Sequence, residues 1–231
     1  MRDVSLWRSL LGVEKAVLER VEFDEEAQVL VAHVRPTARQ RGRCGVCRRR
    51  SPRYDAGPGR RRWRALDLGT IRAELEAGTP RVRCRDHGVV VASVPWARHG
   101  AGHTRAFDDQ VAWLATQASK STVTELMRIA WRTVGSVIAR VWDDIDAQHD
   151  RFEGLRRIGI DEISYKKGHK YLMVVVDHDA RRLVWAAPGR SSATVGEFFD
   201  LLGEERCRLI THVSADGADF IDTIVARRCP Q

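Results

Sequence analysis

Polar and apolar positions alternate with period two over AVLERVEF (residues 16–23) and QVLVAHVR (28–35), which predicts two strands joined across the acidic turn DEEA. A short helix, SLWRSLLG, precedes them. Strand-like alternation resumes in DLGTIRAELEA and RVRCRDHGVVVASVP, beyond a stretch over 35–65 rich in Arg, Gly and Pro. HGAGH, residues 99–103, predicts a flexible boundary by its composition. After it the period becomes helical. Phe107, Val111, Leu114 and Ala118 share one face of a helix over 104–118. Thr122-Val-Thr-Glu125 fits a capping box opening a second helix that runs to Ile129. A third helix, starting near Thr133, turns Val134, Val137, Ile138, Val141 and Ile145 inward. From Arg157 the pattern shifts to β-branched runs, RIGIDEIS, KYLMVVVDHD and RLVWAAPG, then a helix SATVGEFFDLLGEE, a strand LITHVSAD and a final helix ADFIDTIVARR.

The elements divide into an N-terminal hairpin and zinc-ribbon-like β domain over 1–98, a three-helix segment over 104–150, and a strand-rich α/β segment over 156–231, an α+β multi-domain chain. At 231 residues it is long enough for more than one core. No stretch approaches the roughly 20 apolar residues of a membrane-spanning helix, and the start lacks a secretory cleavage pattern, so a cytoplasmic protein without a membrane partner is expected.

The net charge of +8 is modest for this length, but its distribution is not. Between Arg35 and Arg64 there are twelve arginines, Arg48, Arg49 and Arg50 among them, and one acid, Asp55. Such a run repels itself unless a polyanion lies against it, and phosphate contacts that release counterions make nucleic acid the natural partner.

Five cysteines in a cytosolic-looking chain argue against a disulfide framework. Cys44-Gly-Val-Cys47 and Cys84-Arg-Asp-His87 together form a sulfur and imidazole set suited to a tetrahedral, structural Zn²⁺. Thirty-six residues separate the halves, so that insert must fold as strands that bring them together. Cys207 and Cys229 read as free buried thiols.

The three helices have a helix-turn-helix pattern. Its last helix would enter the major groove, with Arg132, Thr133, Ser136 and Arg140 exposed toward DNA. Asp161 sits inside the otherwise apolar strand RIGIDEIS, where burying an unpaired carboxylate would cost about 2 to 7 kcal/mol, a cost that a metal ion would relieve. Asp216 ends the strand LITHVSAD, 55 residues later. The helix between them reads as a crossover that returns this strand parallel to the first, so the two carboxylates meet at one edge. Paired acids on neighbouring strands suit Mg²⁺, whose chemistry at a phosphodiester is that of a nuclease or strand transferase.

Cys44, Cys47, Cys84 and His87, the helix-turn-helix, and GIDEIS followed by HVSAD resemble, in this order, the ISL-three family of insertion-sequence transposases. RVRCRDHG, VPWARHG and GIDEISYKKGHKYLMVVVD are similar to family phrases, and the resemblance covers nearly the whole chain. It implies a ribonuclease H-like catalytic domain using an Asp-Asp-Glu triad with Mg²⁺ or Mn²⁺ to cut and join element ends. It also implies double-stranded DNA and terminal inverted repeats as partners, and a homo-oligomer assembled on DNA. Asp161 matches the first acid and Asp216 the second. No Glu follows Asp216, so this polypeptide is expected to be a C-terminally truncated fragment, incomplete in its catalytic domain and inactive in transposition. The rival reading is a zinc-containing DNA-binding regulator without catalysis; an RNA-binding accessory protein is a third.

Overall fold

A computed structural model describes residues 4–166, 168, 170–216 and 219–229. The chain forms two compact units that divide between Ile145 and Asp146.

The first unit opens with α1 (Val4–Leu10) and the hairpin of β1 (Ala16–Asp24) and β2 (Val29–Pro36). β2 pairs in parallel with β5 (Arg72–Gly78), which pairs antiparallel with β4 (Arg60–Arg64), giving the order β1-β2-β5-β4. Period-two patterning does its expected work in β5, where Ala73, Leu75 and Ala77 are buried while Glu74 and Glu76 lie on the other face. Leu18, Ala32, Val34 and Leu75 pack with Trp63 and Trp96, whose rings meet edge-on at 5.6 Å. A smaller sheet of β3 (Arg53–Asp55), β6 (Arg81–Cys84) and β7 (Gly88–Val91) stands beside it. The insert between the two cysteine pairs thus folds as strands.

Three helices follow. Thr104 caps α2 (Arg105–Gln117), its hydroxyl accepting from the Phe107 N–H at 3.3 Å. α3 (Lys120–Met127) is capped by Ser119, which accepts from the Thr122 N–H at 3.2 Å, so the expected cap at Thr122 gives way to one three residues earlier. The earlier start gives the helix two full turns and lets both Val123 and Met127, four residues apart, reach the core. Arg128 ends α3 in the left-handed region (φ 52°, ψ 48°) and α4 (Trp131–Asp146) begins after a tight turn. Val134, Val137 and Val141 of α4 are buried, but Ile138 and Ile145, expected inward, are exposed. The short α2 and α3 cover only a narrow stripe of the longer helix.

The flexible boundary expected at 99–103 is instead a seam. The Arg64 N–H donates to the Gly102 carbonyl at 2.9 Å and the Arg64 carbonyl accepts from the Thr104 N–H at 2.8 Å. Beside it Arg98 pairs with Asp109 and Asp144, both at 2.7 Å, and faces the fully buried Asp108, which Arg140 also reaches at 3.3 Å. Strand region and helices therefore form one body.

In the second unit β8 (Arg157–Lys166), β9 (Lys170–Asp177) and β10 (Arg182–Pro188) run as an antiparallel meander. α5 (Ser192–Leu202) and α6 (Glu204–Cys207) then lead to β11 (His212–Ser214), which pairs in parallel with β8, for the order β10-β9-β8-β11. α7 (Asp219–Arg228) follows. Ile158, Ile160, Met173 and Val175 point from one sheet face into a core filled by Phe198, Phe199 and Leu202 of α5 and Ile221 of α7. The strand expected over 209–216 shortens to three residues, because α6 and the turn after it carry the chain to Thr211 before pairing with β8 begins. Cys207 and Cys229 are buried thiols of this core.

Candidate metal centres and nucleic-acid interface

The CxxC turn between Cys44 and Cys47 is built by backbone geometry. The Cys44 carbonyl accepts from the Arg48 N–H at 3.0 Å, the Cys44 N–H donates to the Arg49 carbonyl at 2.9 Å, and the Val46 N–H points at the Cys44 sulfur at 3.4 Å. Gly45 is required here, since a Cβ would lie 2.4 Å from the Val91 carbonyl oxygen and 2.5 Å from His99 Nδ1. Cys84 ends β6 and His87 occupies the tight turn into β7. The four ligand atoms lie within 4.8 Å of one another: Cys47 Sγ is 3.7 Å from Cys84 Sγ, and His87 Nδ1 is 3.5 Å from Cys84 Sγ and 3.8 Å from Cys44 Sγ. A tetrahedron with Zn–S of about 2.3 Å and Zn–N of about 2.0 Å has edges of this length. The His87 imidazole holds the Cys84 thiol down to about 6, well below its ordinary 9.0, so the thiolate needed for coordination is already favoured. Burial pushes Cys44 the other way. Three thiolates and an imidazole fit Zn²⁺ and leave no open position for substrate, so the site is structural.

The arginine field around this centre is more occupied than its sequence implies. Arg49 pairs with Asp86, Arg60 and Arg62 with Glu76, and Arg64 with Asp67. Among the described residues Arg48 and Arg50 enter no ion pair. On α4, Arg132 and Ser136 are exposed on the arc opposite Val134, Val137 and Val141, and Thr133 is half-buried. Arg140, expected to be exposed toward DNA, instead turns to Asp108, because a fully buried carboxylate has greater need of a cation than a solvated surface has. Lys120 lies over the exposed ring of Trp131 at 4.5 Å, a contact the sequence reading missed.

In the second unit Ser214 of β11 is level with Gly159 of β8. Two residues further on stand Asp161, within β8, and Asp216, just past the end of β11, the same number of steps along neighbouring parallel chains. Asp161 is exposed rather than buried, since Ile158 and Ile160 take the core face and Asp161 has the opposite parity; the expected burial cost does not arise. Its Oδ1 accepts from the Glu162 N–H at 2.7 Å. Glu162 points the other way and pairs with Arg190. Asp177 closes the β9–β10 turn, its Oδ1 accepting from the Asp179 and Ala180 N–H groups, as expected of a turn residue. His178, which the sequence reading passed over, lies across Gly159 with Nε2 2.7 Å from Ser214 Oγ. The signal was available in principle: a glycine inside a strand marks close approach by another group.

Residues 40–87 match a zinc-finger of transposases of the elements IS204, IS1001, IS1096 and IS1165, residues 92–142 a helix-turn-helix domain of transposase family ISL3, and residues 158–231 a transposase family model. The chain is 59% identical over 235 residues to the transposase for insertion sequence element IS1557 of Mycobacterium tuberculosis, in two strains, covering 100% of this chain and 53% of that protein. It is 27% identical over 240 residues to the transposase for insertion sequence element IS1001 of Bordetella parapertussis, covering 57% of it. The chain thus spans about half the length of the curated relatives it matches. No solved structure matches it.

Proposed function

Since the chain belongs to the ISL3 family of transposases, we propose that it binds the terminal inverted repeats of an insertion sequence as double-stranded DNA and carries two acids of a divalent-metal centre for strand cleavage and transfer. The zinc-stabilised ribbon with Arg48, Arg49 and Arg50, and α4 with Arg132, Thr133 and Ser136, form the DNA-contacting part. The catalytic part is a ribonuclease H-like domain over 156–231, preceded by the ribbon domain over 1–98 and the helix-turn-helix over 104–150. On DNA the protein works as a homo-oligomer.

The observation that carries this reading is the shared step of Asp161 and Asp216 beyond the Gly159–Ser214 pair. Neighbouring strands lie about 4.8 Å apart, so carboxylates on one face at one level come within joint reach of a hard cation. Mg²⁺ or Mn²⁺ bound there would activate a water or a 3′-hydroxyl and stabilise the leaving oxygen. The residues themselves hold the charge: Asp161 from a rigid central strand, Asp216 from the edge beside it. Exposure suits both, because the phosphodiester must reach them from solvent. Asp161 and Asp216 match two of the family's three acids.

The test uses the purified 231-residue chain. Fluorescence anisotropy with an inverted-repeat duplex should show tighter binding than with a scrambled duplex, unchanged by Asp161→Asn. Equal affinity for both duplexes would remove end recognition.

A further inference from the structure

The sheet face that carries Asp161 also carries a histidine bridge one step behind it. His178 follows β9 directly, and its N–H donates to the Arg157 carbonyl at 2.9 Å. Its ring then lies over Gly159 of β8, where a Cβ would meet Nε2 at 2.8 Å and Cε1 at 3.1 Å. On the far side Nε2 reaches Ser214 Oγ at 2.7 Å. One imidazole therefore spans from β9 across β8 to β11, in a lane left open by glycine. Gly159 and Asp161 share a face by strand parity, and Ser214 stands two residues before Asp216.

β11 needs such a tie. It holds β8 over three residues only, His212, Val213 and Ser214, and Ser214 is its last paired position before Asp216. Asp161 is fixed by β8, which is paired with β9 at Asp161 itself and on both sides as far as Gly159. Without a side-chain link, the end of β11 is the looser partner of the two.

We infer that His178 is a positioning residue which, through Ser214 and across Gly159, holds the end of β11 so that Asp216 faces Asp161 at a distance one cation can bridge. This rests on the two-acid metal reading above. The bridge is solvent-exposed, so its worth to global stability is small, whereas its effect on two ligands that must converge is direct.

The experiment is Mn²⁺ binding to the zinc-loaded 231-residue chain, followed by isothermal titration calorimetry, with thermal unfolding as a control. Asp161→Asn should abolish the site. His178→Ala and Ser214→Ala should each weaken Mn²⁺ binding about 10-fold, the double variant no more than either alone, with melting temperature held. Gly159→Ala, which fills the lane while keeping both polar groups, should weaken binding similarly, and His178→Gln should recover part of the loss. If Asp161→Asn leaves Mn²⁺ binding intact, the two-acid reading falls and the inference with it. If Asp161→Asn abolishes binding while His178→Ala and Gly159→Ala bind as the parent does, only the positioning role is overturned. Complete loss in His178→Ala alone would make the imidazole a ligand and overturn it too. Should His178→Ala fail to fold, Ser214→Ala and Gly159→Ala decide.

Discussion

Arg98 closes on Asp108 at 3.6 Å, and both side chains are buried, that of Asp108 0% exposed and that of Arg98 9%. Arg140 approaches the same carboxylate from α4 and His103 from the seam. One anion thus gathers three basic groups from three parts of the first unit. Removing it takes this partner from Arg140 and His103 while Arg98 keeps Asp109 and Asp144, so Asp108→Ala should cost about 1 to 3 kcal/mol of unfolding free energy in urea titrations. A loss below about 1 kcal/mol would show that the cluster is solvated in practice.

Zinc removal should be equally visible. One Zn²⁺ per chain is expected by elemental analysis, and Cys84→Ser should lose it, with β3, β6 and β7 melting before the rest. Retention of full zinc content by that variant would exclude Cys84 as a ligand.

DNA affinity separates Arg132 from Arg140. Arg132→Ala should lower duplex affinity and reduce the slope of log K against log salt by about 1, with stability unchanged. Arg140→Ala should chiefly destabilise the fold, because Asp108 loses a partner. A reversed pattern would place Arg140 at the DNA.

Acid stability reports on Glu76. Hydrogen bonds from Arg62 and then Arg60 bring its carboxyl down to about 2 from an ordinary 4.5. The folded state therefore holds fewer protons than the unfolded chain between those values. Glu76 contributes its full stabilisation above pH 4.5 and loses it as pH falls toward 2. Unfolding free energy measured from pH 6 to 3 should fall less steeply in Glu76→Gln than in the parent, although that variant starts lower. Parallel curves would rule the effect out.

The zinc ligands, the meander of β8 to β10 and the parallel return of β11 were legible because each is a local pattern: a spacing, an alternation, a crossover. The cap at Ser119 was missed because two overlapping hydroxyl patterns compete, and the choice falls to Val123 and Met127 in the core. The ion pairs of Arg140 and of arginines in the 35–64 run were not foreseen for another reason. Their partners, Asp108, Glu76 and Asp86, lie 14 to 37 residues away, and no periodicity announces them. The burial expected of Asp161 does not arise, since its strand is apolar on one face only.

The seam at Arg64 carries a mechanical corollary. Its amide and carbonyl clamp the residues on either side of His103, and its strand neighbours Arg61 and Arg62 belong to the cationic run. Arg61 and Arg62 are themselves held by the Gly100 and Ala101 carbonyls and by Glu76, so a duplex gripped by α4 would meet the rest of the run at a preset offset and angle, like teeth on one key rather than beads on a string. Binding through both would gain from rigid bivalence where the helix's footprint on DNA matches that offset, and would forfeit the gain on any duplex bent away from it.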